Sequence, residues 1–277
     1  MNKKILRMGR QGMTLLEVIM FLAVFAILAG VLVPFIFGEL TVSREEETRQ
    51  EIAKLVEAIG GNPELGSFGF VGDFGRLPNS LSELNTAITP AFHTADGATN
   101  HRGGVGMGWN GPYFKEEFFS GDNLKDAWGT DYQYNVTTVT RLEGGVSLTT
   151  KEGQIISAGS DKQFGTSDDI KSELFQDKGH FFLTVTQGGG DQTAKNVTAT
   201  LFSPVTGEQS SLVSAPTLVD APEGSETTIV FASVPAGARF VQVDFGQTKK
   251  EFFYVALKSN IANRINVKVP VGPGGKP

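Results

Sequence analysis

The chain has no cysteine among its 277 residues, which excludes disulfides, thiolate metal sites and cysteine nucleophiles. Histidine is scarce as well. His93 and His101 lie in a Gly-rich stretch, where they could share a metal or simply be solvated, and His180 opens an alternating segment. None belongs to a hydrolase or zinc pattern such as G-x-S-x-G or H-E-x-x-H, so no enzyme is expected. Basic residues are too few to line a nucleic-acid-binding face: 24 Lys and Arg stand against 30 Asp and Glu, and beyond the N-terminus they are scattered. No nucleic-acid partner is expected. The length admits two compact domains and a helix.

One long apolar run is present. Residues 1–12 are basic, with Lys3, Lys4, Arg7 and Arg10, and from Val18 to Phe37 every residue is apolar, Gly or Pro. As a helix rising about 1.5 Å per residue this run covers roughly 30 Å, one hydrocarbon thickness. Positive charge precedes it and Glu39 and Glu45–Glu47 follow, which orients the N-terminus to the cytoplasm and the bulk of the chain outward. A secretory signal peptide would be shorter and would end in a small-residue cleavage site. Here helical sequence continues instead, with Leu40, Ile52, Leu55, Val56 and Ile59 suited to one apolar stripe. Gly30 and Pro34 interrupt the interior, and Pro34 removes one backbone hydrogen bond, so a local kink or melt is expected there. Glu17 is the odd residue. A carboxylate within an apolar span costs on the order of 2.5–3.5 kcal/mol at the bilayer centre and needs a partner, unless it snorkels to the interface.

The segment Gly12-Met-Thr-Leu-Leu-Glu17-Val, behind its basic leader, resembles the processing site of type IV prepilins. That resemblance implies cleavage after Gly12 by a prepilin peptidase and N-methylation of Met13, where the family usually has Phe. It implies that Glu17 neutralises the N-terminal ammonium of a neighbouring subunit, and that Gly30 and Pro34 mark a helix segment able to loosen on assembly. The partners it implies are further copies of the chain, packed through their N-terminal helices, and other pilins. An inner-membrane assembly platform and, before assembly, membrane lipid complete the set.

Farther on, the Gly-rich residues Asn62–Gly75 end the long helix, and Ser80 with Glu83 has the spacing of a capping box for a short helix over Ser80–Ala87. Alternation predicts strands at Asp131–Thr140, Val146–Thr150 and Gln154–Ser157. Trp109, Trp128, Tyr132 and Tyr134 read as core and turn packing rather than as a carbohydrate platform. The blocks Gly108-Trp-Asn-Gly-Pro-Tyr113 and Lys125-Asp-Ala-Trp-Gly-Thr-Asp-Tyr-Gln-Tyr134 resemble the major pseudopilins of type II secretion systems, with Ala127 and Thr130-Asp131 departing from the family's prolines and Asn. The resemblance covers about residues 1–172. It implies a structural calcium at a C-terminal Asp loop, which here is Ser157–Ile170, with Asp161 and Asp169 as leading ligands and Asp168 next. By charge alone such a loop either gathers a cation or binds nothing.

Beyond this block, alternating segments at His180–Gln187, Asn196–Phe202, Thr227–Phe231, Arg239–Phe245, Phe252–Leu257 and Ile265–Val269 predict an antiparallel sandwich, immunoglobulin-like or transthyretin-like. The expected fold class is α+β. Its parts are a leader at 1–12, a transmembrane assembly helix at 13–61 and a pilin head with an antiparallel sheet at 62–177. A sandwich at 178–271 and a tail at 272–277 follow. The expected role is a structural subunit of a type II secretion pseudopilus in the bacterial inner membrane, its bulk periplasmic. A surface type IV pilus subunit displaying the sandwich for adhesion, and a membrane-anchored ligand-binding protein, are the alternatives.

Overall fold

The computed structural model of the chain describes residues 14–62, 64, 66–94, 106–115, 119–120, 123–143, 145–186, 197–214, 224–245, 250–259 and 261–268. The fold is α+β, with helices first and then several antiparallel and mixed sheets. The chain divides into two compact units, Met1–Glu47 and Thr48–Pro277.

One helix, α1, runs unbroken from Leu15 to Gly60. The helix continues through Gly30 and Pro34, so the expected local melt does not occur there: a single missing N–H interrupts only one hydrogen bond. In the first unit Leu15, Leu16, Val18, Ile19, Met20, Phe21, Leu22, Val24 and Phe25 are all exposed, so apolar side chains cover every face of the helix. Leu40 is exposed too and does not belong to the stripe expected from spacing. Among the described residues no helix is long and apolar enough to cross a membrane. Within the apolar run the side chains of residue 31 and of residues 33–37 lie outside the description.

In the second unit α1 turns a stripe inward: Thr48, Ile52, Leu55 and Ile59 are buried at spacings of four, three and four. Against this stripe lies the head core, in which Phe70, Phe74, Leu77, Leu84, Trp128, Tyr132 and Ile155 take part. Trp109 and Tyr134 pack beside it. Asp126 holds the Ala127-Trp-Gly turn from inside, accepting from the N–H groups of Trp128 at 3.0 Å and Thr130 at 2.8 Å and from Ser157 Oγ at 2.6 Å. A short helix, α2 (Gly69–Phe74), occupies part of the Gly-rich stretch read as a mere terminator. Only a 3-10 turn, Leu81–Leu84, forms where the capped helix was expected. Ser80 makes no capping bond, and Glu83 instead accepts from Arg76 at 2.8 Å and from the Asn79 N–H at 3.0 Å.

Two short hairpins, β1 (His93–Thr94) with β2 (Gly106–Met107) and β3 (Phe119–Ser120) with β4 (Asn123–Leu124), precede the head sheet. That sheet is built from β5 (Gln133–Glu143) and β6 (Val146–Ser157), with β7 (Ile170–Lys171) and β8 (Phe175–Gln176) on the far side of β6. The two strands expected at 146–150 and 154–157 are thus one.

Then come β9 (Lys178–Thr186), β10 (Thr198–Val205), β11 (Glu208–Ser214), β12 (Glu226–Pro235), β13 (Gly237–Asp244), β14 (Lys250–Leu257) and β15 (Ala262–Lys268). They form two sheets, ordered β11-β10-β13-β14 and β12-β9-β15. An immunoglobulin domain would group β9 with β10, β12 and β13; here β9 joins β12 and β15 instead. The expected all-antiparallel sandwich is mixed, because β15 returns alongside β9 in parallel. Alternate residues of both sheets, among them Phe181, Leu183, Leu201, Phe231, Val241 and Val255, meet in a second apolar core.

Candidate functional site

Gly12 and Met13, the expected cleavage and methylation positions, lie outside the described residues. Glu17 stands in the first turn of α1, where its N–H donates to Thr14 Oγ1 at 3.4 Å. A carboxylate at this end also suits the helix dipole. Between Leu15 and Gly38 it is the only charged residue. A Cβ added at Gly30 would meet nothing within 4 Å, so no close approach among the described residues explains that glycine.

The acidic loop holds its own carboxylates. Asp168 accepts from Ser160 Oγ at 2.9 Å, the Asp161 N–H at 3.0 Å and Thr166 Oγ1 at 2.7 Å. The Thr166 hydroxyl first, then the other donors, hold the Asp168 carboxyl well below the usual carboxylate range. Asp161 Oδ1 accepts from the Gln163 N–H at 2.8 Å. Asp169 Oδ2 accepts from the Gly165 N–H at 2.9 Å and pairs with Lys171 at 3.3 Å, while Asp169 Oδ1 is buried with no hydrogen-bond partner. Among the described residues no three His, Asp or Glu side chains converge as a metal site. The orphaned Asp169 Oδ1 has lone pairs that a cation would satisfy, whereas the Asp168 oxygens already accept from three protein donors.

A polar centre that spacing did not reveal lies where α2 meets the sandwich. Arg239 is fully buried, and its guanidinium donates to the carbonyls of Gly72 at 3.0 Å, Pro235 at 3.0 Å and Ala238 at 2.8 Å, and to that of Ala236. Gly237, at φ 134°, gives it room: a Cβ there would stand 2.7 Å from Arg239 Nη1. Asp73 supplies the opposite charge and accepts from Tyr113 Oη at 2.8 Å. Burial pushes the Asp73 carboxyl up to about 6, against the pull of Tyr113 and Arg239. Burial likewise lowers Arg239 to about 9, still charged at neutral pH.

These contacts also finish α2. The last carbonyls of a helix have no internal partner. Here Val71 is capped by the Gly75 N–H, Gly72 by Arg239, Asp73 by the Gly108 N–H at 3.0 Å and Phe74 by the Gly207 N–H at 3.0 Å. Gly75 takes the left-handed cap at φ 72°, where a Cβ would come 2.1 Å from the Pro204 carbonyl. Strand parity was the available signal for Arg239: it shares the inward face with Val241 and Val243.

His180 is buried in β9 with both ring nitrogens lacking a partner. No protein-family model matches the chain, and no curated protein does.

Proposed function

We propose that this chain is a structural, non-enzymatic subunit of a type IV pilus-like filament, most closely a pseudopilus of type II secretion. The observation that carries this reading is the first half of α1. Consecutive apolar residues are exposed around its whole circumference, and a single carboxylate, Glu17, stands near the start. A helix apolar on every side is suited to lipid before assembly and to other such helices afterwards. Cleavage after Gly12 would place the new ammonium of Met13 opposite Glu17 of a neighbouring subunit. This contact gives the carboxylate a counter-charge inside the apolar bundle. The basic leader and the acidic residues after the span orient the second unit to the periplasm. Of the two sandwich alternatives we favour the transthyretin-like one, on the placement of β9 between β12 and β15.

Mass spectrometry of filament or membrane material should find Met13, methylated, at the N-terminus. Glu17→Ala should insert in the membrane yet lose polymer. A mature chain starting at Met1 or beyond Phe37 would refute the assignment, and undiminished polymer from the Glu17 variant would refute the charge pairing.

Calcium belongs to the same reading, with Asp169 and Asp161 as the chain's carboxylate ligands. The cation would neutralise a loop whose carboxylates otherwise depend on backbone N–H groups, two hydroxyls and Lys171. Ligand bound only by the folded state stabilises it by about 2.7 kcal/mol at a hundredfold excess over Kd. The melting temperature of the full chain should therefore rise with calcium and fall with chelator, and Asp169→Asn should abolish the difference. Indifference to both additions would remove the metal.

A further inference from the structure

The head sheet has one closed side and one open one. On the far side of β6 the N–H of Thr149 donates to Ser233 Oγ at 3.0 Å, that of Lys151 to Asp177 Oδ1 at 2.9 Å and that of Ile155 to Ser172 Oγ at 3.0 Å. The carbonyls of Lys151 and Ile155 accept from the N–H groups of Asp177 and Ser172 on the same side. Odd-numbered residues of β6 therefore turn away from β5, and even-numbered ones bond to it. Leu148 lies opposite Arg141 and Thr150 opposite Val139, so β5 bonds inward through its odd residues. The backbone groups of Tyr134, Val136, Thr138, Thr140 and Leu142 face outward, and among the described residues no strand pairs with them.

Edge strands of this length are normally blunted by lysine, proline or a bulge. Gln133–Thr140 has no charge and no proline, and β5 pairs with β6 without a register shift. Val136 is 37% exposed and Leu142 76%.

We propose that β5 is a self-association edge, through which two copies of this chain join their head sheets antiparallel about a two-fold axis. The choice of a second copy rests on self-complementarity. Hydrogen-bonded pairs must join outward-facing residues, so even numbers meet even numbers. One such register sets Val136 opposite Leu142 and Thr138 opposite Thr140, twice each by symmetry. Apolar side chains then meet apolar ones, and hydroxyl meets hydroxyl. It also sets Thr137 opposite Arg141, so the arginine meets no like charge. A two-fold contact cannot repeat along one polar filament, so it joins unpolymerised subunits or neighbouring filaments. It holds whether or not the chain polymerises through α1.

The full chain in detergent micelles tests this directly. Sedimentation should show a dimer at about 100 µM, weakened at least about tenfold in Thr138→Lys, which puts a gatekeeper charge on the open edge. At a dilution where parent and variant are both monomeric, melting temperature should not change in that variant, because the Thr138 backbone groups do not bond to β6. In the otherwise cysteine-free chain, Val139→Cys lies on the two-fold axis, where opposed Cα atoms are about 4.5 Å apart. Oxidation should give a disulfide dimer from it and none from Lys151→Cys on β6. A chain monomeric at that concentration overturns the proposal. A dimer indifferent to Thr138→Lys does so too, as does a Val139→Cys adduct formed only with another protein.

Discussion

Arg239→Ala should destabilise the second unit by about 3–5 kcal/mol, the range found when one partner of a buried ion pair is removed. The guanidinium satisfies four carbonyls and lies beside the Asp73 carboxylate, so truncation leaves a buried charge, orphaned acceptors and a cavity together. Arg239→Met combined with Asp73→Asn should recover only the share due to the unpaired charge and the cavity, because Met donates to none of the four carbonyls. Denaturant unfolding of the full chain in micelles measures all three variants. The pair also has a pH signature. The folded Asp73 carboxyl titrates near 6, above its ordinary value of 3.8, so the folded state binds the proton more tightly than the unfolded one. That contribution is fully present below about pH 4 and is lost as pH rises through about 6, a change of roughly 3 kcal/mol. Asp73→Asn should flatten this slope, and Arg239→Met alone should steepen it by removing the favourable charge. Equal stability of the parent and Arg239→Ala would mean that the junction tolerates an unpaired Asp73.

What the sequence displayed of this fold follows from how its signals arise. Strand parity is local, so Phe181, Leu183 and Leu201, or Val241 and Val243, are legible as an inward face without any partner in view. The turns at Thr206-Gly207 and Ala236-Gly237 are equally local, since Gly207 sits at φ 83° and Gly237 at φ 134°. Pairing order is not local. Nothing in the alternation of Ala262–Lys268 says that it returns beside β9 in parallel. α2 was hidden because Phe68-Gly-Phe-Val-Gly-Asp-Phe-Gly75 has two interior glycines and few helix formers. Its ends are satisfied by Gly108, Gly207 and Arg239, all distant in sequence. Capping-box spacing misled at Ser80 because Arg76, four residues earlier, takes the Glu83 carboxylate. At the acidic loop the composition showed the carboxylates, but the donors that occupy Asp168 depend on its folded path.

A chain ended after Asp177 should keep the head core yet lose its definition around α2. The core of Leu55, Ile59, Phe70, Leu84, Trp128 and Ile155 draws almost wholly on residues before Asp177, with Ala236 the one contribution from beyond it among the described residues. The caps do not. Arg239 serves the Gly72 carbonyl, Gly207 serves that of Phe74, and Ser233 Oγ accepts from the Thr149 N–H. Asp177 is itself buried rather than a free linker, holding Thr150 and Lys151 with its side chain and accepting from the Ala236 N–H at 2.9 Å. Met107 and Leu148, at 1% and 0% exposure, are covered in the whole chain and lie outside that core; Met107 packs against Phe240. Two lost hydrogen-bonded caps at about 1–1.5 kcal/mol each lower local stability by about 2–3 kcal/mol. Amide exchange in α2 should therefore accelerate by about 30- to 150-fold. Exchange at Thr149 should lose its protection, while Leu55 and Ile59 in α1 should remain slow. Hydrogen exchange of the truncated and full chains, both in micelles, resolves these segments separately. Unchanged exchange in α2 would show that the sandwich hangs from the head without supporting it. Rapid exchange throughout α1 would show the opposite, that the two cores are stable only together.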